Sequence, residues 1–105
     1  MSALGYVTRQ TDGSYKGTLT TASFSTPINI LPNKSKSHGK QPDFRVYARG
    51  AELGAGWTRK GKMSGQDYVS LRLAAPELGD RRVYVNLGVA AGQDDPDAYA
   101  LIWNQ

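Results

Sequence analysis

Three segments of the 105-residue sequence carry tyrosine and arginine at alternate positions between aliphatic residues. They are FRVYAR at residues 44–49, YVSLRL at residues 68–73 and RVYVNL at residues 82–87. Side chains of a β-strand alternate between two faces, so an aliphatic row that points inward leaves tyrosine and arginine together on the outer face. Tyrosine rings stack on unpaired bases, and guanidinium groups neutralise phosphate. The pattern therefore predicts a surface that binds nucleic acid.

Two basic stretches flank this predicted surface, WTRKGK at residues 57–62 and the polar segment at residues 32–43. We expect residues 32–43 to form a mobile basic loop, because the segment is polar and has prolines near both ends. Alternation places Trp57 on one face with Leu53 and Ala55, which predicts a buried indole followed by a turn at residues 58–66. The predicted nucleic-acid-binding residues are Arg45, Tyr47, Arg49, Arg59, Lys60, Lys62, Tyr68, Arg72, Arg82 and Tyr84.

Charge is distributed unevenly along a chain whose formal net charge is +4. Residues 34–62 contain eight cations against two carboxylates, whereas residues from 63 onward contain three cations against six carboxylates. This asymmetry favours a positive side that could meet a polyanion. Tyrosine beside arginine is also an ordinary stabilising pair on an exposed sheet, through ring burial and cation–π contact. Single-stranded nucleic acid is slightly favoured over duplex as the ligand.

The residue inventory argues against catalysis and against metal or cofactor binding. The chain has no cysteine and one histidine, His38, in the polar loop. Asp94, Asp95 and Asp97 lack the spacing and the distal glutamate of a calcium loop. The glycines of residues 50–56 precede no helix that could hold a phosphate. We therefore expect a protein that is not an enzyme and has no cofactor.

Period-two alternation dominates the sequence, and no segment of ten or more residues shows a helical stripe. Asp12-Gly13 supplies the positive φ of a tight hairpin between flanking strands. Pro27 interrupts a strand pattern, which predicts an edge or a bend. These patterns predict an all-β protein, a small antiparallel barrel or sandwich of about seven strands, formed as a single domain over residues 1–105.

The final segment at residues 99–103 is apolar on both faces, which fits a strand enclosed on both sides or one that pairs with a second chain. The alternative to nucleic-acid binding is therefore a protein-interaction or homodimerising module that pairs edge to edge through this strand. No secretion signal precedes the first strand, and no apolar run approaches the roughly eighteen residues of a membrane span. We expect a cytoplasmic protein without membrane contact.

Nearly the whole chain resembles the short proteins grouped as domain of unknown function 736. The most specific matches are Pro42-Asp43-Phe44-Arg45-Val46, Gly54-Ala55-Gly56-Trp57 and Leu101-Ile102-Trp103. The turn at residues 77–82 and the loop at residues 90–97 depart from the family pattern. The resemblance implies an accessory cytoplasmic protein of proteobacteria, often encoded on mobile elements, and carries no established activity or site residues. Such a setting favours a role in mobile-element or regulatory DNA transactions.

Overall fold

The computed structural model describes residues 2–34, 39–61, 65–75, 82–90 and 95–103. The described residues form eight strands. In chain order they are β1 (Ser2–Arg9), β2 (Tyr15–Thr20), β3 (Ser25–Pro32), β4 (Phe44–Ala48), β5 (Ala51–Lys60), β6 (Asp67–Leu73), β7 (Val83–Val89) and β8 (Ala98–Trp103).

Each strand pairs antiparallel with its neighbours in the sequence, and β8 closes the sheet by pairing with β1. The all-β, single-domain expectation is confirmed as a closed barrel of eight strands, one more than the predicted number. Strand β8 hydrogen-bonds to β1 on one edge and to β7 on the other. Its apolar sequence therefore fits the enclosed strand, and an edge-to-edge partner would have to displace β1 or β7.

The barrel interior is filled with aliphatic side chains. All eight strands contribute to it or pack against it, and the most deeply buried members include Leu19, Ile30, Val46, Leu71 and Leu101, each with 0 % exposure. An eight-stranded barrel has an interior just wide enough for side chains to fill. The aliphatic rows identified by alternation on β4, β6 and β7 do face this core.

The turn between β1 and β2 has the geometry that Asp-Gly predicts. Gly13 has a φ of 87°, and the Asp12 carboxylate accepts hydrogen bonds from the Ser14 amide (2.9 Å) and hydroxyl (2.6 Å). Pro27 lies in β3 where this strand pairs with β2 but extends beyond its pairing with β4. The missing amide proton of Pro27 is tolerated there because that part of β3 is a local edge.

A β-bulge in β5 reverses the face on which the end of this strand presents its side chains. Val46 pairs with Gly54 while Tyr47 pairs with Glu52, so Leu53 is the extra residue. Leu53 points into the core, yet Trp57 pairs with Ser70 on the outer side of the sheet. The prediction that Leu53, Ala55 and Trp57 share the inner face was wrong. The strand also runs to Lys60, so residues 58–60 are not part of the turn.

A candidate nucleic-acid interface on the outer wall

The outer faces of β4, β5, β6 and β7 form one continuous surface, here called the β4–β7 wall. One row across it consists of Arg45, Ala55, Arg72 and Tyr84, which are aligned by strand register. A second row consists of Trp57, Ser70 and Asn86, and a third begins with Arg59 beside Tyr68. The wall therefore carries arginine and aromatic side chains on neighbouring strands.

Trp57 is the central aromatic residue of the wall. The guanidinium carbon of Arg72 lies 4.9 Å from the centroid of its ring, and the indole N–H donates a hydrogen bond to the Lys40 carbonyl (3.2 Å). Next to it, the Thr58 amide donates to a carboxylate oxygen of Asp43 (2.8 Å). These contacts fix the half-buried indole between β6 and the segment at residues 40–43, outside the barrel core.

Beside Trp57, the wall has a depression with a volume of about 510 Å³. Of the residues that the structure describes, three arginines line it, Arg45, Arg72 and Arg82, against one carboxylate, Glu52. Arg45 donates to Glu52 through Nη1 at 2.8 Å, and both side chains are about half exposed, so this pair contributes little to stability. The balance leaves positive charge in the depression, which suits an anionic ligand.

Arg45 also lines a second depression on the other side of β4, with a volume of about 460 Å³. Lys34, Tyr47 and the carboxylate of Asp12 are part of that second lining. A ligand that extends over both depressions would cross Arg45 and meet cations on either side of it. This arrangement fits an extended polyanion better than a small compact anion.

The three predicted stacking tyrosines all lie on outward positions of the wall, but they are not neighbours. Tyr47 on β4 and Tyr84 on β7 are separated by β5 and β6, which corresponds to roughly 14 Å at the usual strand spacing. Tyr68 lies four residues from Arg72, the register partner of Tyr84, about 13 Å along the strand. The tyrosines therefore do not form one stacking platform.

The remaining predicted residues occupy different places. Arg59 and Lys60 lie at the end of β5, where they pair in register with Tyr68 and Asp67. Arg49 occupies the turn after β4 with a φ of 53° and lines a cleft at one end of the barrel, and it does not line the depression beside Trp57. Lys62 and residues 35–38 of the basic loop, including His38, lie outside the described residues.

Sequence reasoning missed Trp57 as a surface residue. The available signal was Gly54 and Gly56, because glycine inside a strand pattern often marks a bulge or a close backbone approach. A Cβ atom on Gly56 would lie 2.6 Å from a side-chain atom of the core residue Leu71. Gly56 therefore faces inward, and the adjacent Trp57 must face outward.

Within the described part of the chain, no group of three or more histidine, aspartate or glutamate side chains is placed to hold a metal ion. Among the described residues, no helix has the length and apolar character needed to cross a membrane.

Comparison with protein families gives a match to a family model described as a protein of unknown function, DUF736, over residues 3–105. Neither a curated protein nor a solved structure matches the chain. The match includes residues of all eight strands, so the wall and the core both belong to the matched region.

Proposed function

This chain belongs to the DUF736 family, whose function is unknown, and we propose that it is a non-enzymatic protein that binds single-stranded nucleic acid on the β4–β7 wall. The supporting observation is that Arg45, Arg72 and Arg82 line one depression beside an outward-facing Trp57. Arginine provides the charge for phosphate contacts, and exposed aromatic rings provide surfaces for unpaired bases. The same proposal includes an accessory role in mobile-element or regulatory DNA transactions in the cytoplasm.

Each part of the wall has a defined role in this proposal. Arg72, Arg82 and Arg45 contact backbone phosphates, and Lys34 extends the path across β4. Tyr84, which is 51 % exposed, stacks on a base beside Arg72. Trp57 holds Arg72 by cation–π contact while the N–H groups at the guanidinium edge remain free to donate to phosphate.

The experiment is a fluorescence-anisotropy titration of labelled single-stranded and duplex DNA at several salt concentrations. We expect affinity to fall with salt, and Arg72→Ala and Arg82→Ala each to reduce the logarithmic salt slope by about one. Lys16→Ala is the matched control, since Lys16 is exposed on β2, opposite β6 in the barrel. A flat salt dependence, or equal losses in Lys16→Ala and Arg72→Ala, would contradict the proposal.

The alternative proposal is a homo-oligomerising or protein-interaction module. Barrel closure leaves β8 without an open edge, so a partner would have to pack against the outer face. A weakly polar patch on the outer face of β1 and β8 favours such packing of a partner. In this patch Tyr6, which is 55 % exposed, pairs with Ala100, and Ala3 pairs with Ile102. Sedimentation of the same samples without DNA distinguishes the two proposals, because only this alternative predicts concentration-dependent association.

A further inference from the structure

One end of the barrel is an open cup lined mainly by inward-facing side chains, here called the mouth. It lies where β1, β5 and β7 finish and where β2, β4, β6 and β8 begin. The cavity has a volume of about 490 Å³ and is lined from all seven of these strands. Small-molecule sites commonly occupy about 300–1,000 Å³, and small barrels bind ligands at their mouths. The other half of the interior is filled by the aliphatic core.

The floor of the mouth consists of three aromatic rings in fixed orientations. Tyr15 packs edge to face against Phe44, with centroids 5.9 Å apart, and against Tyr99, with centroids 5.6 Å apart. Tyr15 is only 7 % exposed, and this burial raises the pKa of its hydroxyl. The cluster packs on the core, so the rings form a preorganised apolar surface.

Polar groups surround that floor at the level of the rim. The guanidinium of Arg9 lies 5.8 Å from the ring centroid of Tyr99 and donates from Nε and Nη2 to one oxygen of Asp97, at 3.1 and 2.9 Å. Its Nη1 group does not contact Asp97, and the Arg9 side chain also interacts with the Tyr15 hydroxyl. Across the mouth, Thr58 and Asp67 add a hydroxyl and a carboxylate. The rim thus offers hydrogen-bond donors on one side and acceptors on the other.

Charge and shape together restrict the ligand. Asp97 neutralises Arg9, and the Asp67 carboxylate repels a second anion, so the described residues of the mouth carry no excess positive charge for phosphate. Val89 is 78 % exposed although its strand position faces the barrel axis, which leaves apolar area uncovered beside the rings. A ligand that fits the mouth has flat apolar faces and a polar edge, and it carries no net charge.

We propose that the mouth binds a neutral, planar heteroaromatic molecule with the chemistry of a nucleobase or nucleoside. Its ring packs over Tyr99 and Phe44 and against Val89. Its donor edge faces Asp67, and its carbonyl edge faces Arg9. This site shares Tyr68 with the edge of the β4–β7 wall but none of the residues of the depression beside Trp57, and it does not depend on the function proposed for that wall.

The test is a methyl and amide NMR titration with adenosine, guanosine, cytidine and uridine, using ribose 5-phosphate and cyclohexanol as non-aromatic controls. We expect shifts at Val69, Leu87 and Val89 with at least one nucleoside and with neither control. The corresponding nucleoside monophosphate should bind no more tightly. Shifts absent at millimolar concentration, or equal for cyclohexanol, would overturn the proposal.

Two variants assign the binding to the mouth. Asp67→Ala should weaken nucleoside affinity about tenfold, since it removes a charged hydrogen-bond acceptor at an exposed position. Arg72→Ala on the outer wall should leave nucleoside affinity unchanged while it weakens DNA binding. If Arg72→Ala abolishes nucleoside binding and Asp67→Ala does not, the nucleoside binds on the wall and the mouth proposal is wrong.

Discussion

Arg72 and Trp57 lie on neighbouring strands with the guanidinium carbon 4.9 Å from the indole ring centroid, on the outside of the barrel. They are diagonal neighbours, since Arg72 pairs with Ala55 and Trp57 pairs with Ser70. A stacked guanidinium uses its face for the ring and keeps its N–H edge for other partners. The contact therefore positions an arginine beside the wall depression without consuming its capacity to bind an anion.

This contact predicts a measurable coupling between the two side chains. A double-mutant cycle of Trp57→Leu and Arg72→Ala should give an interaction energy of about 0.5–1 kcal/mol in urea unfolding, the usual range for an exposed cation–π pair. Trp57→Leu combined with Lys16→Ala is the matched control, and its effects should add within about 0.5 kcal/mol. Coupling of the same size in both cycles would show that the Arg72 effect is not local.

The outward position of Trp57 predicts a modest effect on stability. Trp57→Leu should lower the free energy of unfolding by about 1–2 kcal/mol, because it removes a half-buried ring, one cation–π contact and one hydrogen bond. Leu71→Ala removes a fully buried core side chain and should cost about 2–5 kcal/mol. Equal losses for the two variants in urea unfolding would place the indole in the core after all.

Trp57 also shows where sequence reasoning reached its limit. Alternation correctly assigned the inner and outer residues of β4, β6 and β7, and Asp12-Gly13 identified the first turn, because these features are local. The bulge at Leu53 adds one residue to β5. The predicted inner and outer faces are therefore exchanged for every residue of β5 beyond the bulge. Barrel closure between β1 and β8 joins segments about a hundred residues apart, and no local pattern records that pairing.

The candidate sites were harder to predict than the fold for the same reason. The depression beside Trp57 combines β4, β5, β6 and the residue before β7, and its composition depends on strand order and register. The mouth combines Arg9, Tyr15 and Tyr99 from the two ends of the sequence. Neither group forms a spacing motif in the sequence. The arginines and tyrosines that alternate along single strands do form one.

Gly54 makes the close approach of β5 and β6 possible. A Cβ atom at this position would lie 2.0 Å from the Arg72 carbonyl oxygen, a backbone atom that cannot rotate away. Gly54→Ala should therefore destabilise the protein by about 3 kcal/mol or more in urea unfolding. Gly39→Ala is the control, since a Cβ atom there meets nothing within 4 Å, and it should change stability by less than about 0.5 kcal/mol. Equal effects would show that β5 and β6 can separate at little cost.

The turn carboxylate of Asp12 should make the fold sensitive to acid. Ser14 donates two hydrogen bonds to the Asp12 carboxylate, and together they hold the pKa of Asp12 below its usual value of 3.8. The bond from the Ser14 hydroxyl has the larger effect, and the bond from the Ser14 amide has the smaller one. A carboxyl group whose pKa is lower in the folded state stabilises the fold above pH 3.8, and this stabilisation is lost as the pH falls through the folded pKa. Asp12→Asn should flatten the acid side of a plot of unfolding free energy against pH. An unchanged slope would mean that other carboxylates cause the acid loss.

Lysine substitutions at Leu101 and Ile102 distinguish a closed barrel from a strand that needs a second chain. Leu101 is fully buried inside the barrel, so Leu101→Lys places a charge in the core and should cost more than about 4 kcal/mol whatever the oligomeric state. Ile102 is half-buried on the outer face, and Ile102→Lys should change the unfolding free energy by less than about 1 kcal/mol, independently of protein concentration. Urea unfolding at two protein concentrations, with sedimentation of the folded samples, measures both effects. If Ile102→Lys instead converts a wild-type dimer to monomer and destabilises the fold, a second copy covers the outer face of β8.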